Sequence, residues 1–157
     1  MEKILSLQRL YRQLPVMRQN KISIVLTTGC FDILHSAHEL FLKNAKKEAD
    51  ILIVGLETDS RVHVLKGKAR PVNNFAKRAQ NLAKLEFVDY IFELPQNIAS
   101  PEVQESLISG IKPDILAVSS HTDYLDRKKE VIEKFGGKLK IVLARNPRFS
   151  TSQILMT

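Results

Sequence analysis

Short apolar strands alternate with helical segments along nearly the whole chain, and this order constrains the fold more than any other feature. The strand-like runs are apolar and largely β-branched, as in strands that are covered on both faces. They span residues 22–27, 51–56, 88–94, 115–118 and 139–144. Strands that alternate with helices indicate a parallel sheet with helices on both faces. The sequence therefore predicts an α/β fold, a Rossmann-like doubly wound sheet of five parallel strands.

Helical patterns occupy the start of the chain and the intervals between the strands. A rough apolar stripe predicts a helix over residues 2–14, ended by Pro15, within an N-terminal helical extension over residues 1–20. Later helices are predicted to begin near Ser36, at Asn73 or Asn74, at Pro101 and at Leu125, with a final helical turn near Ser150. Residues 57–72 are polar and basic and predict a loop. No linker divides the chain, so we expect a single domain over residues 1–157.

The composition argues against several classes of function. A net charge of +7 favours anionic partners without choosing among a nucleotide, a nucleic acid and a membrane surface. Aromatic residues make up only 6% of the chain, which disfavours a stacking platform for single strands, and no 18-residue apolar run suggests a membrane span. We therefore expect neither a nucleic acid nor a membrane as partner. One cysteine and no signal-peptide core suit a cytoplasmic protein.

Residues 27–38, T-T-G-C-F-D-I-L-H-S-A-H, join the first strand to the next helix. Ser36 and Glu39 match a capping box, which predicts the helix start. The first turn of a helix stabilises an anion, so His35 and His38 are placed to face one phosphate. The alternative is a plain helix start with two surface histidines. The carboxyl end of a strand in a parallel sheet is where ligands bind, which favours the phosphate site.

The segment G-C-F-D-I-L-H-S-A-H (29–38) resembles the signature of the HxGH cytidylyltransferase-like nucleotidyltransferases, of the nucleotidylyl transferase superfamily. L-K-G-K-A-R-P-V-N (65–73) looks like that family's loop over the triphosphate, and Arg78 falls where the family carries a helix arginine. F-S-T-S-Q-I (149–154) resembles its C-terminal I-S-T-T-x-I segment. The likeness is greatest to the adenylyltransferase domains of ADP-heptose synthases. Glycerol-3-phosphate cytidylyltransferases and archaeal FAD synthetases are more distant.

The resemblance implies transfer of a nucleoside monophosphate from ATP or CTP to a phosphorylated small-molecule acceptor, with release of pyrophosphate. A sugar phosphate such as heptose 1-phosphate is the expected acceptor, and Mg²⁺ is expected on the triphosphate. No protein nucleophile is needed, because the protein supplies position and positive charge. The likeness to the heptose enzymes favours ATP, although no residue decides the base. A weakly active or inactive nucleotide-binding module of the same fold is the alternative.

The resemblance also assigns roles to individual residues. The side chains expected to act on the reacting phosphates are His35, His38, Lys66 and Arg145. The residues expected to bind the nucleotide are Thr28, Gly29, Cys30, Phe31, Asp32, Ala37, Asp59, Lys68, Arg78, Ser119, Ser150 and Thr151.

Plainer structural roles stay open for several of these residues. The two lysines can belong to a solvated loop, and Arg78 can be an exposed helix arginine. Asp32 is equally expected as a turn-forming residue. Asp59 follows the second strand, where its carboxylate can accept a hydrogen bond from a ribose hydroxyl.

Two positions depart from the family pattern. The glycine of HxGH is Ala37 here, which a helical backbone tolerates and a positive φ does not. Relatives of the heptose type carry V-K-G-G-D-Y where this chain has V-S-S-H-T-D-Y (118–124), with no lysine. His121 either replaces that charge or fills an exposed loop. A homodimer also stays open, because the N-terminal helix can either mediate self-association or cap the sheet.

Overall fold

The computed structural model describes residues 2–143, so Arg145, Ser150, Thr151 and the predicted final helical turn lie outside the described residues. Helices and strands alternate along the described part of the chain. In chain order they are α1 Leu7–Gln19, β1 Ile24–Gly29, α2 Ser36–Lys46, β2 Ile51–Leu56, α3 Asp59–Lys66, α4 Phe75–Ala83, β3 Tyr90–Glu93, α5 Pro101–Ile111, β4 Ile115–Ser119, α6 Leu125–Lys134 and β5 Lys138–Leu143.

The strands form one parallel five-stranded sheet in the order β3-β2-β1-β4-β5, which confirms the predicted fold class. The chain winds outward from β1 through β2 to β3, then returns to β4 on the other side of β1. The direction of winding therefore reverses between β1 and β4. In open α/β sheets a crevice for ligands lies beyond the carboxyl ends of the strands at such a switch point.

Alternate residues of the strands pack into two separate cores, one on each face of the sheet. Ile24 and Leu26 of β1 are fully buried with side chains of α1, α5 and α6. Val25, between them, is fully buried on the other face with side chains of α2 and α4. This alternation follows from the two-residue period of a strand, and it explains why the strands are apolar on both faces.

The N-terminal helix differs from its prediction at both ends. α1 begins after Ser6, whose side chain accepts a hydrogen bond from a backbone N–H of the first turn. Before it, the N–H of Leu5 donates to the carbonyl oxygen of Ile91 at 2.9 Å, so this stretch pairs with the sheet edge. α1 also continues through Pro15. Met17 is buried and extends the apolar stripe past the proline. The free energy of its burial offsets the cost of the helical hydrogen bond that proline cannot make.

The predicted loop over residues 57–72 is wrong over Asp59–Lys66, which form α3, whereas residues 67–72 belong to no helix or strand. Thr58 caps this helix by accepting the N–H of Arg61, and Gly67 ends it with a φ of 108°. Val62 is the one fully buried residue of α3. A helix of 8 residues with a single buried position shows no repeating apolar stripe in the sequence. Within residues 2–143, no helix is long and apolar enough to cross a membrane.

Candidate functional site

The turn between β1 and α2 sets two histidines at the start of the helix. His35 is the N-cap, and its Nδ1 accepts the backbone N–H of Ala37 at 3.2 Å. In return, the backbone N–H of His35 lies 3.4 Å from Nδ1 of His38. The predicted capping box of Ser36 and Glu39 is therefore wrong by one position. Neutral imidazole nitrogens accept hydrogen bonds, so the histidines take the roles usually filled by a hydroxyl and a carboxylate.

The two imidazole rings stack, with centroids 4.0 Å apart and planes 16° from parallel. The ring of Phe31 packs edge-on against His38 with centroids 5.4 Å apart. Burial, reinforced by the adjacent His35, lowers the pKa of His38 to about 3. His38 is therefore neutral near pH 7, and its ring can donate a hydrogen bond to a phosphate oxygen without carrying a charge.

The histidines line a cleft of about 990 Å³ at the carboxyl ends of β1 and β4. The structure brings nine of the predicted site residues together in its walls: Thr28, Gly29, Cys30, Phe31, His35, Ala37, His38, Lys66 and Ser119. His121 lines the same cleft. Lys66 ends α3 and is half-buried, whereas Lys68 is exposed on the following turn and is not among the residues of the cleft walls.

Asp32, which follows Phe31 of the cleft wall, is fully buried and is not among the residues of the cleft walls. Its carboxylate accepts the backbone N–H groups of Val72 and Asn73, each at 2.8 Å, and the Nε–H of Arg70. Burial alone raises the pKa of Asp32, but these hydrogen bonds and the Arg70 charge hold it below its ordinary value. Asp32 thus ties the loop after Lys66 to the histidine turn. No role for its partner Arg70 was predicted from the sequence.

Arg78 is also fully buried, so the alternative of an exposed helix arginine is wrong. Its guanidinium donates to the carbonyl oxygens of Asn73 and Cys30, each at 3.0 Å, and to Oδ1 of Asp59 at 2.7 Å. Arg78 and Asp59 are absent from the described walls of the cleft. Their observed contacts position the surrounding loops, and direct contact of either residue with a nucleotide stays a prediction.

Several charged residues of the cleft escaped the sequence analysis, among them Glu57, Arg61 and Lys128. Burial raises the pKa of Glu57 and lowers the pKa of Lys128, whose Nζ donates to the hydroxyl of Thr122. The position of Glu57, directly after a buried strand, was a usable signal. No sequence signal marked Arg61 or Lys128, because their positions in the cleft depend on how α3 and α6 pack.

The doubly wound sheet, with a paired-histidine helix start and a lysine lining the cleft at its switch point, is the arrangement typical of the nucleotidyltransferase fold class. The chain belongs to the cytidylyltransferase-like family, because the sequence profile of that family matches residues 26–155. This match confirms the resemblance that the sequence motifs indicated.

Curated relatives agree with the family. The bifunctional protein HldE of Helicobacter acinonychis (strain Sheeba) is 42% identical over 98% of this chain and 30% of its own length. HldE of Campylobacter fetus subsp. fetus (strain 82-40) is 44% identical over 89% of this chain and 28% of its own length. The chain thus spans about 30% of the length of these relatives.

Solved structures share the fold. The lipopolysaccharide core biosynthesis protein from Thermoplasma volcanium GSS1 is 25% identical, with a TM-score of 0.63 over 80% of this chain and 97% of its own. Pantoate-beta-alanine ligase from Francisella tularensis, solved with an ATP ligand and beta-alanine, is 18% identical with a TM-score of 0.65. That second likeness covers 94% of this chain and 69% of the ligase, and it supports the fold alone.

Proposed function

We propose that this chain transfers a nucleoside monophosphate, from ATP in preference to CTP, to a phosphorylated small molecule and releases pyrophosphate. A sugar phosphate such as heptose 1-phosphate is the proposed acceptor. The observation that carries the proposal is the stacked pair of His35 and His38, at the N-terminus of α2 and inside the cleft at the switch point. The identity to the HldE proteins over most of this chain supports it.

The proposed reaction needs no covalent bond to the protein. An oxygen of the acceptor phosphate attacks the α-phosphorus of the nucleotide in line. The bond from that phosphorus to the oxygen bridging the β-phosphate breaks, and pyrophosphate leaves with the electron pair. Because the low pKa keeps His38 uncharged, positive charge comes from Lys66 and from the helix dipole of α2. The imidazoles contribute directed hydrogen bonds to the phosphoryl oxygens.

Mg²⁺ is proposed to enter bound to the nucleotide, as part of the substrate. Among residues 2–143, no group of three or more His, Cys, Asp or Glu side chains is arranged to hold a metal ion. Mg²⁺ commonly keeps several waters and takes most of its other ligands from substrate phosphates. The donor set of the described cleft fits an ion carried by the triphosphate.

Ala37 is compatible with an active enzyme. The residue lies in the first turn of α2, and its φ is not positive. Its backbone N–H bonds to His35, as a glycine in the same place can. The family glycine is therefore not required here for conformational reasons, and this weakens the case for an inactive binding module.

The test is pyrophosphate release by the full chain with Mg²⁺, ATP or CTP, and a panel of sugar phosphates that includes heptose 1-phosphate. His38→Ala should lower kcat roughly a hundredfold, as loss of a transition-state donor does. His63→Ala is the matched control, because His63 is exposed on α3 and absent from the cleft walls. Nucleotide binding without pyrophosphate release on any acceptor would instead identify a binding module.

A further inference from the structure

Glu57 is held at the edge of the phosphate site by its own backbone. It is the first residue after β2, and its N–H donates to the carbonyl oxygen of Gly29 at 3.0 Å. That bond fixes it beside the turn that leads to the paired histidines. Its side chain lines the same cleft and is 14% exposed, so part of the side chain faces a ligand in the cleft while most of it is shielded from water.

Arg61 balances the charge of Glu57 without completing its hydrogen bonds. Nε of Arg61 lies 3.6 Å from Oε2 of Glu57, which is beyond ordinary hydrogen-bond length. Both atoms are inaccessible to solvent, and neither has a hydrogen-bond partner among the described residues. Buried polar atoms are unfavourable in this condition. The exposed parts of the two side chains, 14% of Glu57 and 20% of Arg61, are where a ligand group can contact the pair.

The surroundings explain why a carboxylate is tolerated beside a polyphosphate site. Lys128, from α6 on the β4 side of β1, lies in the same cleft, and its charge acts on Glu57 as do those of Arg61 and Arg78. Cations therefore surround Glu57 on several sides. The local charge is not negative, and the carboxylate can accept hydrogen bonds without repelling a neighbouring phosphate.

We propose that Glu57 and Arg61 form a binding site for neighbouring hydroxyl groups of a reactant. The carboxylate accepts from one hydroxyl, and the guanidinium donates to the oxygen of the next. Two reactants of the proposed function, on which this inference rests, carry such a pair: the ribose of the nucleotide and a sugar-phosphate acceptor. The sequence had assigned the ribose contact to Asp59, but that carboxylate is bonded to Arg78 and is absent from the cleft walls.

The test is calorimetric titration of the full chain and of Glu57→Gln with two pairs of ligands. The first pair is Mg²⁺–ATP and Mg²⁺–2′,3′-dideoxy-ATP. The second is heptose 1-phosphate and methyl phosphate, each with a non-hydrolysable ATP analogue present. The wild-type chain should prefer the hydroxylated member of one pair about tenfold, and Glu57→Gln should reduce that preference to about twofold or less. The pair that responds identifies whether ribose or acceptor occupies the site.

Two further variants separate recognition from folding. Glu130→Gln makes the same chemical change at an exposed position of α6 outside the cleft walls, and it should alter neither preference. Arg61→Lys keeps the charge and should retain part of the preference. If Glu57→Gln folds and keeps both wild-type ratios within twofold, the site is refuted. A wild-type chain that binds none of the ligands refutes the site as well, whereas binding without pyrophosphate release refutes only the proposed transfer.

Discussion

Nη1 of Arg78 lies 3.0 Å from the carbonyl oxygen of Cys30, although 48 positions separate the two residues in the chain. The same guanidinium bonds to Asn73 and to Asp59. Arg78 therefore joins the histidine turn, the segment before α4 and the first turn of α3. A planar guanidinium suits this task because its donors point in several fixed directions at once.

Arg78→Met should destabilise the protein strongly. The substitution removes all three bonds and leaves the carbonyl oxygens of Cys30 and Asn73 without a charged donor, which should cost about 3 kcal/mol of unfolding free energy. Asp59→Asn is the control, and it should cost less than about 1 kcal/mol because Asp59 is 47% exposed and stays hydrated. Urea unfolding of both variants measures the difference. Equal losses would contradict the role assigned to Arg78.

Much of the fold was predictable because buried strands leave a local signature. The apolar run over residues 51–56 coincides with β2, and the run over residues 22–27 differs from β1 by two positions at each end. Thr28 and Gly29 lie beyond that run, and their pairing with β2 extends the strand to Gly29. α3 was not predictable, because it buries only one residue fully. The pairing of Leu5 with Ile91 was not predictable either, because it is a contact between distant parts of the chain.

The site divides in the same way. His35 and His38 were predictable from a short motif at the carboxyl end of the first strand, and Lys66 from the resemblance of its segment to the family's loop over the triphosphate. The burial of Arg78 and the pairing of Glu57 with Arg61 depend on how separate segments approach one another. No local pattern in the sequence reports such an approach.

The imidazole of His38 should not titrate between pH 5 and pH 8. Burial and the neighbouring His35 lower its pKa to about 3 in the folded chain, whereas an unfolded histidine titrates near about 6.5. Between these two pKa values the unfolded state binds more protons than the folded state. The contribution of His38 to the unfolding free energy is therefore fully present above the unfolded pKa, and it decreases as the pH falls below that value. NMR titration of the histidine signals tests the pKa directly.

His38→Gln provides the matching stability measurement. The variant lacks the titrating ring, so its unfolding free energy should fall less than that of the wild-type chain between pH 6.5 and pH 4. Urea unfolding at several pH values gives both curves. A His38 signal with its midpoint near pH 6.5, or parallel stability curves, would show that the ring is hydrated rather than buried.

Lys66 and Lys68 should differ in their effect on the nucleotide. Lys66 lines the cleft and is half-buried, whereas Lys68 is exposed beyond the end of α3. Lys66→Ala should lower kcat/KM for the nucleotide by about tenfold or more, since a charged hydrogen bond to phosphate is lost. Lys68→Ala should change it by less than about threefold. Steady-state pyrophosphate assays compare the two, and an equal loss would place Lys68 at the phosphates as well.

Ala37→Gly should restore the family glycine with little functional gain. Ala37 has helical backbone geometry and is 7% exposed, so glycine adds only flexibility in the unfolded chain and removes a buried methyl. The unfolding free energy should fall by about 0.5–1 kcal/mol. Because the backbone N–H that bonds to His35 remains, kcat/KM should stay within about threefold. An increase of tenfold or more would show that the methyl group obstructs the nucleotide, and that this chain is the weakly active form of its family.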